Sequence, residues 1–208
     1  MEHLNLLIER YPKLAPVKDN IKTAFEIISD SYRKGGKLLI AGNGGSAADA
    51  EHITGELMKS FVKKRKIDDE FIFNINKIDS ETAQYLVKYL QPGLPVIALP
   101  NNISLNTAAG NDIDGDISYA QQVYVYGQEG DVFLGISTSG NAKNVFYAAA
   151  AAKAKKLKVI ALTGAKGGKL KYIADVSINV PETETYKIQE LHLPVYHCLC
   201  LMLEDYFF

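Results

Sequence analysis

A short apolar run, then a loop rich in Gly, Asn or Ser, then apolar residues at helical spacing: this order recurs along the chain and restricts the folds open to it. Lys37-Leu38-Leu39-Ile40-Ala41 breaks into Gly42-Asn43-Gly44-Gly45-Ser46, and helical spacing resumes to about Phe61. Pro95 to Leu99 leads into an Asn- and Ser-rich loop and a helical run from Ser104. Asp131 to Ile136 is followed by Ser137-Thr138-Ser139-Gly140-Asn141 and an alanine-rich helix over 142–156. Lys158 to Leu162 and Asp175 to Val180 read as two further strands, before a closing helix from about Glu182 to Tyr206. Upstream, Val17, Ile21, Ala24, Phe25, Ile28 and Tyr32 keep the 3.6-residue period and stop at Gly35-Gly36, so helices fill 1–35. Short apolar strands alternating with helices predict an α/β fold, a parallel sheet of about five strands covered on both faces.

The length of 208 residues suits one domain. Only 62–92 breaks the rhythm, running from Lys63-Lys64-Arg65-Lys66 through Asp68-Asp69-Glu70 to an apolar stripe (Ala83, Leu86, Val87, Leu90) that predicts a helix over Ser80 to Leu90. It reads as an insertion in the domain. With 23 Lys and Arg against 24 Asp and Glu, there is no basic field for nucleic acid or an anionic membrane, so an anionic ligand must be held locally. Its 47% hydrophobic content can form a core, but no apolar stretch reaches membrane-spanning length and the first residues carry no secretory pattern. A soluble, cytoplasmic protein is expected. Cys198 and Cys200, two residues apart, are expected to stay reduced.

In a parallel sheet, ligands bind beyond the carboxyl ends of the strands, where helix N-termini converge. The loop at Gly42 lets backbone approach a ligand, and Ser46 with Asp49 predicts a capping box for its helix. Gly42-x-Gly44-x-x-Ala47 also passes a loose dinucleotide pattern. The hydroxyls of Ser137, Thr138 and Ser139 at the next helix N-terminus favour a phosphate cradle, which suits a sugar phosphate held at one end. Gly164-Ala165-Lys166-Gly167-Gly168-Lys169-Leu170 is one residue short of a nucleotide P-loop and has no Ser or Thr after its lysine. His52 and Glu56, four apart, share a helix face. Gln189 and His197 project about 80° apart on the last helix, whereas His192 projects about 140° from His197 and is expected to pack. His52 and Glu56 could be a surface pair and His197 a core histidine; together with an amide they could also ligate zinc.

The run from Ala41 to Ala50, with His52 and Glu56 after it, resembles the first motif of the phosphoheptose isomerases of the sugar isomerase (SIS) superfamily. Gly130 to Asn141 is similar to their phosphate loop, and Val159 to Gly164 and Ile188-Gln189-Glu190-Leu191-His192 with His197 to their remaining signatures. The resemblance implies a three-layer α/β/α sandwich of flavodoxin-like or Rossmann-like type. It implies a homotetramer with active sites at subunit interfaces, and isomerisation of sedoheptulose 7-phosphate to a glycero-manno-heptose 7-phosphate. Glu56 and His197 would be catalytic; His52, Glu56, Gln189 and His197 would hold zinc. Asn43, Gly44, Gly45, Ser46, Glu56, Asn111, Asp112, Ser137, Thr138, Ser139 and Gln189 would contact substrate. Two departures bear on which sugar is accepted: Ala142 stands where the family usually has Ser, and 62–92 exceeds the usual connection. The competing readings are a non-catalytic SIS protein of the kind that contacts the replication initiator, an isomerase of another sugar phosphate, and, least supported, a dinucleotide-dependent enzyme.

Overall fold

Five strands pair in parallel: β1 (Leu38–Ala41), β2 (Val96–Ala98), β3 (Val132–Ser137), β4 (Lys158–Gly164) and β5 (Val176–Val180), in the order β2-β1-β3-β4-β5. The structure is a computed structural model that describes residues 1–208. Leu38 stands opposite Val96 on one side and Val132 on the other. Strand order therefore reverses at β1, and the crevice between the carboxyl ends of β1 and β3 is the natural ligand site of this doubly wound arrangement.

Alternate residues of each strand face different layers, as a period of two requires. Leu38, Ile40, Leu134, Ile136, Ile160 and Leu162 belong to the larger core, shared with α1 (Glu2–Arg10), α2 (Lys18–Arg33), α3 (Gly45–Met58) and α10 (Thr185–Phe207). Leu39, Ala41, Phe133, Val159 and Ala161 belong to the other, shared with α7 (Ser118–Tyr126), α8 (Lys143–Ala154) and α9 (Leu170–Ile173). Because both faces are covered, β1 and β3 are buried along their whole length, which is why they read as unbroken apolar runs. The result is the three-layer α/β/α sandwich. Cys198 and Cys200 are free and buried in it, and burial pushes the Cys198 thiol up to about 12. No helix is long and apolar enough to cross a membrane.

Several boundaries differ from the sequence reading. The predicted capping box is absent: Gly44, at φ 54°, occupies the N-cap of α3, and Ser46 and Asp49 lie inside the helix. That left-handed conformation is open to glycine and strained for other residues. The run from Ser104 is two helices, α6 (Ile103–Asp112) and α7, because Asp114 Oδ1 accepts the Asp116 N–H at 2.7 Å and closes a turn between them. Helix α3 stops at Met58, since Lys59 turns extended and the N–H groups of Phe61, Val62 and Lys63 are taken by the Glu204 carboxylate.

The inserted segment holds two helices, not one: α4 (Asp69–Ile78) and α5 (Ser80–Tyr89), capped by Asp68 and Asp79, whose side chains each accept an N–H at 2.7 Å. They pack on each other, and Ala83 is their one buried residue. The base of this hairpin is fixed firmly. Arg65 pairs with Glu204 at 2.8 Å, both side chains 1% exposed, and donates to the carbonyls of Leu57 and Pro92, which flank the insertion.

Candidate active site

Two strand-to-helix loops meet at the reversal point. The loop after β1 delivers Asn43, Gly44 and Gly45 to the N-terminus of α3; the loop after β3 delivers Thr138 and Ser139 towards α8, while Ser137 ends the strand itself. With Ser46, Ala142, Thr185 and Gln189 they line a cleft of about 400 Å³. The first N–H groups of α3 and α8 have no intrahelical acceptor, so the cleft collects two positive helix ends and several hydroxyls. A side chain at Gly45 would run into the Gln189 amide, which places α10 against the first loop.

Groups that the sequence did not single out hold these loops together. Asn43 and Asn144 exchange amide hydrogen bonds, each 2.9 Å, and tie the first loop to the start of α8. The buried Tyr119 hydroxyl donates to the Gly42 carbonyl at 2.8 Å. Gly140 has φ 67°, and a side chain there would collide with Gly167. Neither Asn144 nor Tyr119 lies in a motif. Their partners are far off in sequence, so only the fold reveals them.

Beyond the cleft, α3 and α10 bring three of the four expected metal ligands together. His52 Nε2 is 3.2 Å from Glu56 Oε1 and 3.5 Å from His197 Nε2. Phe61 packs on His197 with ring centroids 5.5 Å apart. Desolvation, and next the charge of His52, lower the His197 pKa. Behind His52, its Nδ1 meets the Tyr196 hydroxyl at 3.0 Å. Asp49 faces the same hydroxyl; burial raises the Asp49 carboxyl above its usual range, against the opposing effect of Tyr196. His192 is wholly buried, as expected of a packing residue, and burial pushes its imidazole down to about 4.

A family model described as the SIS domain matches residues 13–92 and 81–164. The phosphoheptose isomerase of Rhodospirillum rubrum is 40% identical over 185 residues, covering 89% of this chain and 85% of that protein. Phosphoheptose isomerase 2 of Campylobacter jejuni is 39% identical, covering 90% and 81%. Among solved structures, the phosphoheptose isomerase of Neisseria gonorrhoeae superposes with a TM-score of 0.76 at 32% identity, over 98% of this chain and 96% of that one. The chain belongs to the phosphoheptose isomerase family. It is thus an enzyme of the sugar-phosphate isomerase class within the SIS domain proteins.

Three residues of the expected phosphoheptose isomerase site are placed apart from His52, Glu56 and His197. Gln189 lines the cleft beside Gly45 rather than joining the histidines. Asn111 and Asp112 end α6, exposed, with the Asn111 amide donating to Asp112 at 2.7 Å, and they do not line the cleft of their own chain. The structure assembles no ready cluster of three or more His, Cys, Asp and Glu ligands. What it shows is pairwise spacing. Ligands about 2.0–2.1 Å from a tetrahedral zinc stand roughly 3.3 Å from one another, and the donor pairs here are 3.2 and 3.5 Å apart. Two imidazoles and a carboxylate suit zinc in chemistry as well as spacing.

Proposed function

We propose that the chain converts sedoheptulose 7-phosphate to D-glycero-D-manno-heptose 7-phosphate. One observation carries this reading: α3 and α10, which both contribute to a cleft of hydroxyls and helix N-termini, also bring Glu56 and His197 to the two sides of His52. The cleft, with Ser137, Thr138 and Ser139 and the Asn43 to Ser46 loop, would take the phosphate and neighbouring hydroxyls. The sugar's C1 and C2 would then lie towards α3 and α10.

Ketose-to-aldose conversion takes a proton from C1, passes through an enediolate and returns a proton to C2, while a hydroxyl proton moves from O1 to O2. It is internally balanced, so no redox partner is required. Glu56 would take and return the carbon-bound proton, and His197 would exchange protons with the oxygens. His52, Glu56 and His197, with Gln189 turned from Gly45, would hold zinc. Zinc supplies Lewis-acid stabilisation of negative charge on the sugar oxygens when bound. A carboxylate on a metal is a weaker base, so in this reading Glu56 alternates between the two duties.

The exposed placement of Asn111 and Asp112 supports a site completed by a second subunit. The exposed apolar side chains of Ile103 and Ile113 at the two ends of α6, and of Tyr124 and Val125 on α7, support the same reading, with a homotetramer as the assembly; the cytoplasm is its proposed location. The test is to mix purified protein with sedoheptulose 7-phosphate and follow aldose formation, with other ketose phosphates as comparators. Turnover of this heptulose in preference supports the proposal. Preference for another ketose reassigns the substrate, and binding without turnover of any would identify a non-catalytic SIS protein.

A further inference from the structure

The polar groups behind His52 have no place in the mechanism above, and their arrangement is specific. Tyr196 is 2% exposed on α10, and its hydroxyl lies 3.0 Å from His52 Nδ1. The same hydroxyl faces the Asp49 carboxyl, one turn before His52 on α3. Asp49 Oδ2 is buried and has no hydrogen-bond partner within normal bonding distance, so it is an acceptor in want of a donor. A phenol has one proton to give, and two groups compete for it.

We infer that Asp49 and Tyr196 form a relay that sets the tautomer of His52, making Tyr196 a positioning residue for the metal-binding face of that imidazole. An ionised carboxylate only accepts, so the Tyr196 proton points to Asp49 and its oxygen lone pair faces His52. Nδ1 must then carry the proton, and the neutral ring is left with a lone pair on Nε2. That atom is the one 3.2 Å from Glu56 Oε1 and 3.5 Å from His197 Nε2. Without the carboxylate, Tyr196 could donate to Nδ1 instead, and Nε2 would carry hydrogen and be closed to a cation. The partner groups of a metal-bound histidine generally act in this way, by fixing tautomer and ring orientation. The consequence for zinc rests on the functional reading above; the tautomer itself does not.

The test uses the full chain with ¹⁵N-labelled histidine at pH 8, first stripped by a chelator and then titrated with zinc. Only four histidines must be resolved. His52 is expected as the Nδ1–H tautomer in the stripped protein. Tyr196→Phe keeps the ring and removes the hydroxyl, so the Nε2–H form should gain population, and zinc affinity should fall by about 10–100-fold in competition with a chelating dye. Asp49→Ala should shift the tautomer in the same sense by freeing the Tyr196 proton. A native Nε2–H tautomer would overturn the relay, as would a Tyr196→Phe protein with tautomer and zinc affinity unchanged. A changed tautomer with zinc affinity intact would overturn its role towards the metal. If the native protein takes up no zinc, the zinc reading falls, and the tautomer results still decide the relay.

Discussion

Glu56 and His197 come from different helices and reach the same place, yet neither lines the cleft assigned to phosphate. Loss of a proton carrier should therefore separate from loss of binding. Glu56→Gln and His197→Gln should each lower turnover by about 10²–10⁴-fold, with sugar-phosphate binding still measurable by calorimetry; normal turnover in either would remove it from the mechanism. Ser139 tests the other half of the site. A hydrogen bond to a charged group is typically worth about 1.5–3 kcal/mol, so Ser139→Ala should raise the apparent substrate constant roughly tenfold or more. An unchanged constant and rate would leave Ser139 only its bond to the Asn141 N–H, 3.1 Å in length. Ala142 offers a gain. It occupies the N-cap of α8 without a capping bond and lines the cleft, while Asn144 Oδ1 already accepts the Val145 N–H. Ala142→Ser should thus stabilise by about 0.5–1 kcal/mol, the lower end of the capping range, and tighten substrate binding. Thermal denaturation and binding titration read the two effects separately.

The helical hairpin of α4 and α5 shows how one buried charge pair can hold an element whose own faces bury little. Burial disfavours ionised Glu204, but three backbone N–H groups and Arg65 outweigh it and hold its carboxyl below the usual range. Glu204 therefore contributes stability above the unfolded carboxylate value of about 4.3 and loses it as pH falls through the lower folded value. Arg65→Met should destabilise by about 1.5–3 kcal/mol, the worth of a hydrogen bond to a charged group, because it leaves the buried carboxylate to its three backbone N–H groups alone; chemical denaturation at neutral pH measures this. Replacing 69–89 with a short Gly-Ser linker keeps Arg65 and should leave the core's midpoint within a few degrees, with turnover and oligomeric state reporting what the hairpin covers. Of this element, the sequence disclosed the extra length and the second helix. The first helix escaped because it starts in the charged run Asp68-Asp69-Glu70 and buries no residue of its own, and the clamp escaped because Arg65 and Glu204 are 139 residues apart. The strands were legible for the opposite reason: burial on both faces writes itself as consecutive apolar residues. The cradle loops were legible because glycine and hydroxyl runs follow those strands directly, whereas Gln189, placed by helical projection, lies against Gly45 because projection ignores the two turns separating it from His197.

At the scale of the whole molecule, the larger core, the site and the base of the hairpin depend on α10, whose residues reach from the cleft at Gln189 to the clamp at Glu204. His192 lies between them, fully buried at the seam of α10 and the sheet, with its pKa lowered to about 4 by desolvation. An unfolded histidine titrates near 6.5. Between these values the unfolded chain binds the proton that the folded chain refuses, so stability rises with pH across this window. The contribution of His192 is complete above about pH 6.5 and is lost as pH falls towards 4, a span worth about 3 kcal/mol. His192→Leu removes the titration and leaves an apolar side chain of comparable size in an apolar seam. Its stability, measured by denaturant unfolding from pH 4 to 7.5, should therefore follow a flatter course than that of the native protein, with the largest difference near pH 4.5. Parallel curves would show that His192 is protonated as readily in the fold as out of it, which a wholly buried imidazole could achieve only by gaining an acidic partner.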